Sequence, residues 1–284
     1  MTRVVAAILM LLVATGALAV FYGRITWRRS TERLQSEVVE ASLPLSTTIF
    51  DSAELSGLPA PVQRYFRLVL EDGQRIVTGV ELEHVGTFNM SETEERWRPF
   101  SSTQIVIAKR PGFVWNGRIS VAPAVPVMVH DAYVAGEGIL KAAVFGLVPV
   151  VDVESTPEIA RGELMRFFAE ATWYPTALLP SQGVTWESVD DSSARATFRD
   201  ADTVLEMTFA FGSDGLVSSV RADARGRTLG GSIVQTPWEG RWESYERRYG
   251  MLVPTRGEVA WVLPTGRWPY WRGEITNLEY QFAN

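Results

Sequence analysis

The chain has 284 residues, 46% of them hydrophobic and 21% charged, with a formal net charge of −6. That excludes a disordered or fibrous chain and suits one large domain or two small ones. The absence of cysteine excludes disulfide scaffolds, iron–sulfur clusters, thiolate zinc sites and thiol nucleophiles.

Val4 to Tyr22 is a run of nineteen uncharged positions dominated by Val, Ala, Leu and Ile. As a helix it reaches about 28 Å, close to the hydrocarbon core of a bilayer, so residues 4–22 are expected to meet lipid as a single-pass span. Ala17-Leu18-Ala19 also fits a small-x-small cleavage site, which would make the segment a removable signal and the remainder extracytoplasmic. Against cleavage, the apolar run continues to Tyr22, and Trp27 with Arg24, Arg28 and Arg29 follows as an interfacial flank. Arg3 and the α-amine stand before the run; Arg24, Arg28, Arg29 and Arg33 after it favour a cytoplasmic domain by a small margin. The membrane side stays open.

Residues 30–42 read as a short helix leaving the membrane and residues 43–57 as a linker. The chain thus divides into an anchor with its basic flank (1–29), a short helix and linker (30–57) and a globular domain (58–284). Pro59 and Pro61 open an amphipathic helix with apolar residues at Val62, Tyr65, Phe66, Val69 and Leu70. Strands are expected over 76–88, 104–109, 113–121 and 125–135, punctuated by Pro111-Gly112, Asn116-Gly117 and Gly136-Glu137-Gly138. A second helix starts at the N-cap Thr156 with Pro157 in its first turn and runs to about Thr172, ahead of Pro175. Leu164, Phe167, Phe168 and Ala171 form its apolar stripe. Then alternation returns: Leu205, Met207, Phe209 and Phe211 share one strand face, and Gly212-Ser213-Asp214-Gly215 turns the chain into 216–222. Further strands are expected over 194–199, 234–247, 255–263 and 272–282. The fold class is therefore α+β and β-rich: a large curved antiparallel sheet of about nine to eleven strands, half-barrel-like, with one or two covering helices and an N-terminal transmembrane helix.

No GxSxG, GxxxxGK[ST], SxxK or GxGxxG motif is present. His84 and His130 are far apart in sequence, and the basic residues are scattered arginines with only Lys109 and Lys141. No metal site, cofactor or nucleic-acid partner is expected. Glu163, Arg166 and Glu170, at i, i+3 and i+7, share one face of the second helix. Two carboxylates around a guanidinium suit either a solvent-facing ion-pair ladder or, if buried, a polar-headgroup or acid–base site. The ten tryptophans, among them Trp97, Trp115, Trp173 and Trp238, read as core or as the walls of a pocket; Arg241 follows Trp238. In His130-Asp131-Ala132-Tyr133, alternation puts Asp131 and Tyr133 on one face, within reach of Arg166 or Arg241, and His130 on the other.

Leu58-Pro59 with Val62-Gln63-Arg64-Tyr65-Phe66, Trp97-Arg98-Pro99-Phe100, Pro111-Gly112-Phe113-Val114-Trp115, Asp131-Ala132-Tyr133, the 162–170 helix with Trp173 and Pro175, and Trp238-Glu239-Gly240-Arg241 resemble a bacterial domain-of-unknown-function family, numbered 6544 and later 6920. The resemblance spans about Leu58 to Tyr280 and implies membership without an activity. The layout is also similar, more loosely, to the half-barrels that carry bacterial lipoproteins.

The expected function is a membrane-anchored, non-enzymatic domain binding an apolar or amphipathic, lipid-like ligand. The helix over 157–172 would line the cavity, with Arg166 and Arg241 meeting an anionic headgroup. Glu163, Arg166, Glu170, Trp173, Asp131, Tyr133, Trp97, Trp115, Trp238 and Arg241 are the candidate ligand-binding residues. One alternative is an acid–base enzyme, hydrolase or isomerase, using Glu163, Glu170 or Asp131; another is a structural or partner-binding envelope module.

Overall fold

The computed structural model describes residues 2–153 and 155–284. A single helix, α1 (Thr2–Glu40), opens the chain, and α2 (Ala60–Val69) follows. Six strands come next: β1 (Val77–Asn89), β2 (Trp97–Ile107), β3 (Gly112–Ala122), β4 (Val125–Val134), β5 (Glu137–Val144) and β6 (Val148–Val153). After α3 (Pro157–Glu170) come β7 (Thr185–Asp190), β8 (Ser193–Asp200), β9 (Thr203–Phe211), β10 (Val217–Leu229), β11 (Ser232–Arg248), β12 (Met251–Leu263) and β13 (Gly266–Phe282).

All thirteen strands form one antiparallel sheet in the order β6-β5-β4-β3-β2-β1-β13-β12-β11-β10-β9-β8-β7. Two meanders are joined along a central seam where β1 meets β13, with Leu82 opposite Leu278. The outermost strands, β6 and β7, flank α3 in sequence, so α3 carries the chain from one edge of the sheet to the other across its concave side. It packs against β3, β4 and β5 on one flank and β9 and β10 on the other. Gly138 permits that approach: a Cβ there would stand 2.8 Å from the Ala160 nitrogen of the helix.

Residues 30–42, expected as a separate short helix, are the end of one continuous α1, because no glycine or proline interrupts the chain from Arg24 to Glu40. Residues 43–57 do not behave as a free linker: Phe50 and Leu55 are buried in the core, and Ile49 bridges to Arg75. Asn116-Gly117 lies inside β3 rather than at a turn. The strand count exceeds the expected nine to eleven partly because β6, Val-Pro-Val-Val-Asp-Val, has no alternation to mark it. It is an edge strand exposed on both faces, where a proline costs no ladder hydrogen bond.

The main core lies between the concave face and α2 and α3. A smaller cluster sits on the convex face, where Val38 and Leu34 of α1 meet Val114, Ala132 and Val134. Gly23, Trp27, Thr31, Leu34 and Val38 recur at intervals of three or four, forming one stripe along α1. Trp27 stacks on His130 at 4.0 Å and donates to Asn116 Oδ1 at 3.1 Å, while Thr31 Oγ1 lies 2.7 Å from His130 Nε2. The last half of α1 is thereby fixed to the sheet, while the apolar first half stands clear of the protein and is long and apolar enough to cross a membrane.

Candidate functional site

Apart from its first turn and Arg161, α3 is enclosed almost all round, with Glu163, Leu164, Met165, Phe167, Phe168 and Glu170 buried. The solvent-facing ladder read from the helical spacing is therefore overturned. The shared face of Glu163, Arg166 and Glu170 is real, but it looks into the concave sheet.

Arg166 is the hub. Its Nη1 meets Asp131 Oδ2 at 2.5 Å, its Nε meets Glu170 Oε1 at 2.7 Å, and its Nη2 donates to Gln104 Oε1 at 3.3 Å. Gln104 Nε2 donates in turn to Glu170 Oε2 at 2.7 Å, closing a ring of three side chains. The guanidinium lies 4.8 Å from the Phe113 ring centre and 5.4 Å from that of Trp115. Burial alone would lower its pKa, but the charges of Glu170, Asp131 and Glu163 outweigh that and hold it above the ordinary value.

Glu163 stands on the other side of Asp131. Its Oε1 is 3.8 Å from Arg225 Nη2, and Arg225 lies 5.2 Å over the Trp238 ring. Burial, reinforced by the charge of Asp131, raises the Glu163 pKa well above the usual carboxylate range; Arg225 and Arg166 oppose the shift. With both carboxyls ionised, Glu163 Oε2 and Asp131 Oδ1 would be buried without a donor. One proton held between them satisfies both, and leaves two guanidiniums facing two carboxylates: a neutral cluster.

Beside this cluster runs a chain of aromatic rings. His84 lies 5.0 Å from Trp173, Trp173 lies 5.0 Å from Trp242, and Trp271 links His84 (6.0 Å) to Phe100 (5.7 Å) and so to Trp115 (5.8 Å). Burial, followed by the charge of Arg166, pulls His84 down to about 3, so the imidazole is neutral. In this chain the Nε1 groups of Trp115, Trp173 and Trp242 and the Nε2 of His84 are buried with no hydrogen-bond partner.

The remaining expected residues are placed elsewhere. Tyr133 is buried and points toward α3, but donates to Asp200 Oδ2 at 2.7 Å rather than joining Arg166. Trp238 is in the core and donates to the Tyr270 hydroxyl at 2.8 Å. Trp97 and Arg241 lie away from the cluster. Trp97 sits under the Arg272 guanidinium at 4.3 Å, and Arg241, on the exposed face of β11, pairs with Glu239 at 2.7 Å. Arg166 and Arg241 therefore do not converge on one headgroup, and Arg166 is already paired with two of the protein's own carboxylates. The second interior arginine is Arg225.

Sequence reasoning missed Gln104, Arg225 and His84, whose Nδ1 meets Ser102 Oγ at 3.4 Å while its Nε2 has no partner. Gln104 was findable, since a polar residue beside Val106 occupies an inward position of a strand. Arg225 was not: a bulge between Ala222 and Arg225 reverses which face each later residue meets.

Four surface clefts of about 420 to 700 Å³ are described, and none is lined by a residue of α3. Beneath the helix, Phe113, Trp115, Phe198 and Phe209 fill the space together with Phe167 and Phe168. Among the described residues, no group of three His, Asp or Glu is placed to hold a metal ion.

No curated protein matches the chain. Among solved structures it is similar to a LolA superfamily protein from Nitrosomonas europaea, with 11% identity over 79% of this chain and 94% of that one and a TM-score of 0.34. A porin-like protein from Bacteroides uniformis is 9% identical over 73% of this chain and 96% of its own, with a TM-score of 0.25. A β-barrel-like protein of domain-of-unknown-function 1849 from Brucella abortus is 10% identical over 72% and 99%, with a TM-score of 0.20. Residues 56–280 match the model of DUF6920, a family of unknown function, and the chain belongs to that family.

Proposed function

We propose that this protein is a membrane-anchored binding domain that takes an apolar or amphipathic ligand between α3 and the concave sheet, without catalysis. The observation that supports it is the set of four buried ring nitrogens without partners, on Trp115, Trp173, Trp242 and His84. Burying an N–H with no acceptor costs about 1–3 kcal/mol, so the three indole N–H groups in one aromatic tract call for oxygen acceptors, beside a neutral His84 whose Nε2 is open to a polar partner. A guest bearing ester or hydroxyl oxygens on a hydrocarbon body supplies them and wets the rings with apolar contact. Because the Arg166 cluster is internally neutral, the polar end of that guest is uncharged.

The space beneath α3 is filled, so entry of the guest displaces the helix, whose Phe167 and Phe168 then exchange protein contacts for ligand contacts. The test is native mass spectrometry of the full chain purified in mild detergent, with solvent extraction of whatever is released. Recovery of one lipid class, lost in a Trp173→Phe, Trp242→Phe double variant that still folds, supports the reading. A ligand-free protein that refuses added diacylglycerol ends it.

A second reading is favoured by the raised pKa of Glu163. A buried carboxyl whose pKa is raised well above the usual carboxylate range is suited to general acid work. It predicts hydrolysis of an ester substrate with a pH profile governed by the Asp131–Glu163 pair, abolished in Glu163→Gln.

A further inference from the structure

The cleft where α1 leaves its apolar span carries its own chemistry. It has a volume of about 420 Å³ and lies between α1 and the convex face of β2, β3 and β4. Arg24, Arg28 and Arg118 line it, with Glu32 as the one acidic residue. Glu32 is ion-paired to Arg28 at 2.7 Å, so the cleft holds a net excess of two positive charges; neither Arg24 nor Arg118 has an ion pair among the described residues. Met128 and Phe145 give it an apolar side.

Its height is set by the helix. Arg24 follows Tyr22, the last residue of the uncharged run, by two positions, or about 3 Å along the axis. The turn between β5 and β6 presses on the same point: a Cβ on Gly146 would stand 3.0 Å from the Gly23 carbonyl oxygen. From Ala142 to Val151 that hairpin carries no charge, and Val148 and Val150 are 59% and 55% exposed. An exposed apolar hairpin, a cationic cleft and the end of an apolar helix thus meet within one helical turn.

We infer that this cleft binds the phosphate of an anionic phospholipid, with the β5–β6 hairpin seated among the acyl chains beside α1. The inference rests on α1 crossing the bilayer as proposed above. The guanidiniums of Arg24 and Arg118 contact the phosphate, Arg28 bridges it to Glu32, and Val148 and Val150 face hydrocarbon. The lipid fixes the tilt of the domain against the membrane.

The full chain contains no cysteine, so single cysteines at Leu11 and Val148 can carry bimane in vesicles of phosphatidylcholine with or without phosphatidylglycerol, read by quenching from doxyl-labelled lipid. Native mass spectrometry of the same protein counts retained lipid. Expected are quenching at both positions and preferential retention of phosphatidylglycerol. That retention should fall about fivefold for each guanidinium removed in Arg24→Gln, Arg118→Gln and the double variant. Equal retention of the two lipids, retention unchanged in the double variant, or displacement of phosphatidylglycerol by equimolar inorganic phosphate overturns the site. A quenched Leu11 probe with an unquenched Val148 probe overturns the hairpin's seat while leaving the anchor standing; an unquenched Leu11 probe overturns the anchor and the site together.

Discussion

Arg166 of α3 meets Asp131 of β4 at 2.5 Å, so the helix that crosses the concave sheet is held there by charge as well as by its phenylalanines. Two further partners, Glu170 and Gln104, hold the guanidinium through its Nε and Nη2. Removing it strands Asp131 and Glu170 in a dry interior. Arg166→Leu should therefore cost about 3–5 kcal/mol in urea unfolding of the solubilised chain, and adding Asp131→Leu and Glu170→Leu should restore much of it. A loss under about 1 kcal/mol would mean that water reaches the cluster freely.

Glu163 carries the opposite sign of pH dependence from an ordinary paired carboxylate. Its native pKa lies above the free value of 4.5, so the folded state binds the proton more tightly. The stability this contributes is present in acid and is lost as pH rises from about 4.5 through the native value. Glu163→Gln keeps the neutral shape at all pH values. Thermal melts should find it at least as stable as the parent above neutral pH, with a flatter pH profile; a destabilised variant there would place the charge, not the proton, in the native cluster.

His130, under Trp27 and beside Thr31, is held down to about 4, by burial first and the Lys141 charge second. The free value is 6.5, so the stability of this contact is complete above pH 6.5 and is lost as pH falls toward 4. His130→Phe keeps the stacked ring and removes the titration. Comparing acid-induced release of the 23–40 segment, by limited proteolysis at pH 7 and pH 4.5, should find the parent cut faster in acid and the variant indifferent to pH.

Three strand glycines carry the ring of a tryptophan on their own strand, and a fourth, Gly257, carries that of Trp242 on the neighbouring strand. A Cβ would strike Trp115 at Gly117 and Trp271 at Gly273, and would come within 3.2 Å of Trp238 at Gly240. In each case the tryptophan is two residues earlier, on the same face. Gly273→Ala should cost about 1–3 kcal/mol through displacement of the Trp271 ring, measured by chemical unfolding. Gly16→Ala, in open space on α1, should change nothing.

Much of the sheet was legible because period-2 alternation survives curvature: Leu205, Met207, Phe209 and Phe211 are inward as their spacing requires, with Leu205 and Phe209 fully buried. The α3 boundaries followed from local chemistry, Thr156 capping the Ile159 nitrogen and Pro157 opening the first turn. What surrounds a helix is not local, however. The spacing of Glu163, Arg166 and Glu170 fixes that they share a face, while the strands that enclose it come from positions as distant as Gln104 and Arg225. The Trp-x-Gly repeats at 115–117, 238–240 and 271–273 were visible in the sequence, but their meaning depends on the ring lying flat over the next inward position. Trp97 and Arg241 were drawn into the site as members of runs that mix aromatic and charged residues, 96–99 and 238–242, yet Arg241 lies three residues from Trp238, and strand residues an odd number apart face opposite ways.

The seam between β1 and β13 joins the start of the domain to its last strand. During synthesis, the six-strand meander led by β1 keeps one bare edge until almost the whole polypeptide has emerged. Its partner is nearly two hundred residues downstream, a separation of the kind that makes folding slow. Where α1 is the membrane anchor proposed above, it meets lipid first, and the nascent edge waits on a two-dimensional surface where neighbouring copies are orientationally restricted. On that reading, an anchor ahead of the sheet shields assembly from intermolecular strand exchange throughout the interval before the terminal strand docks.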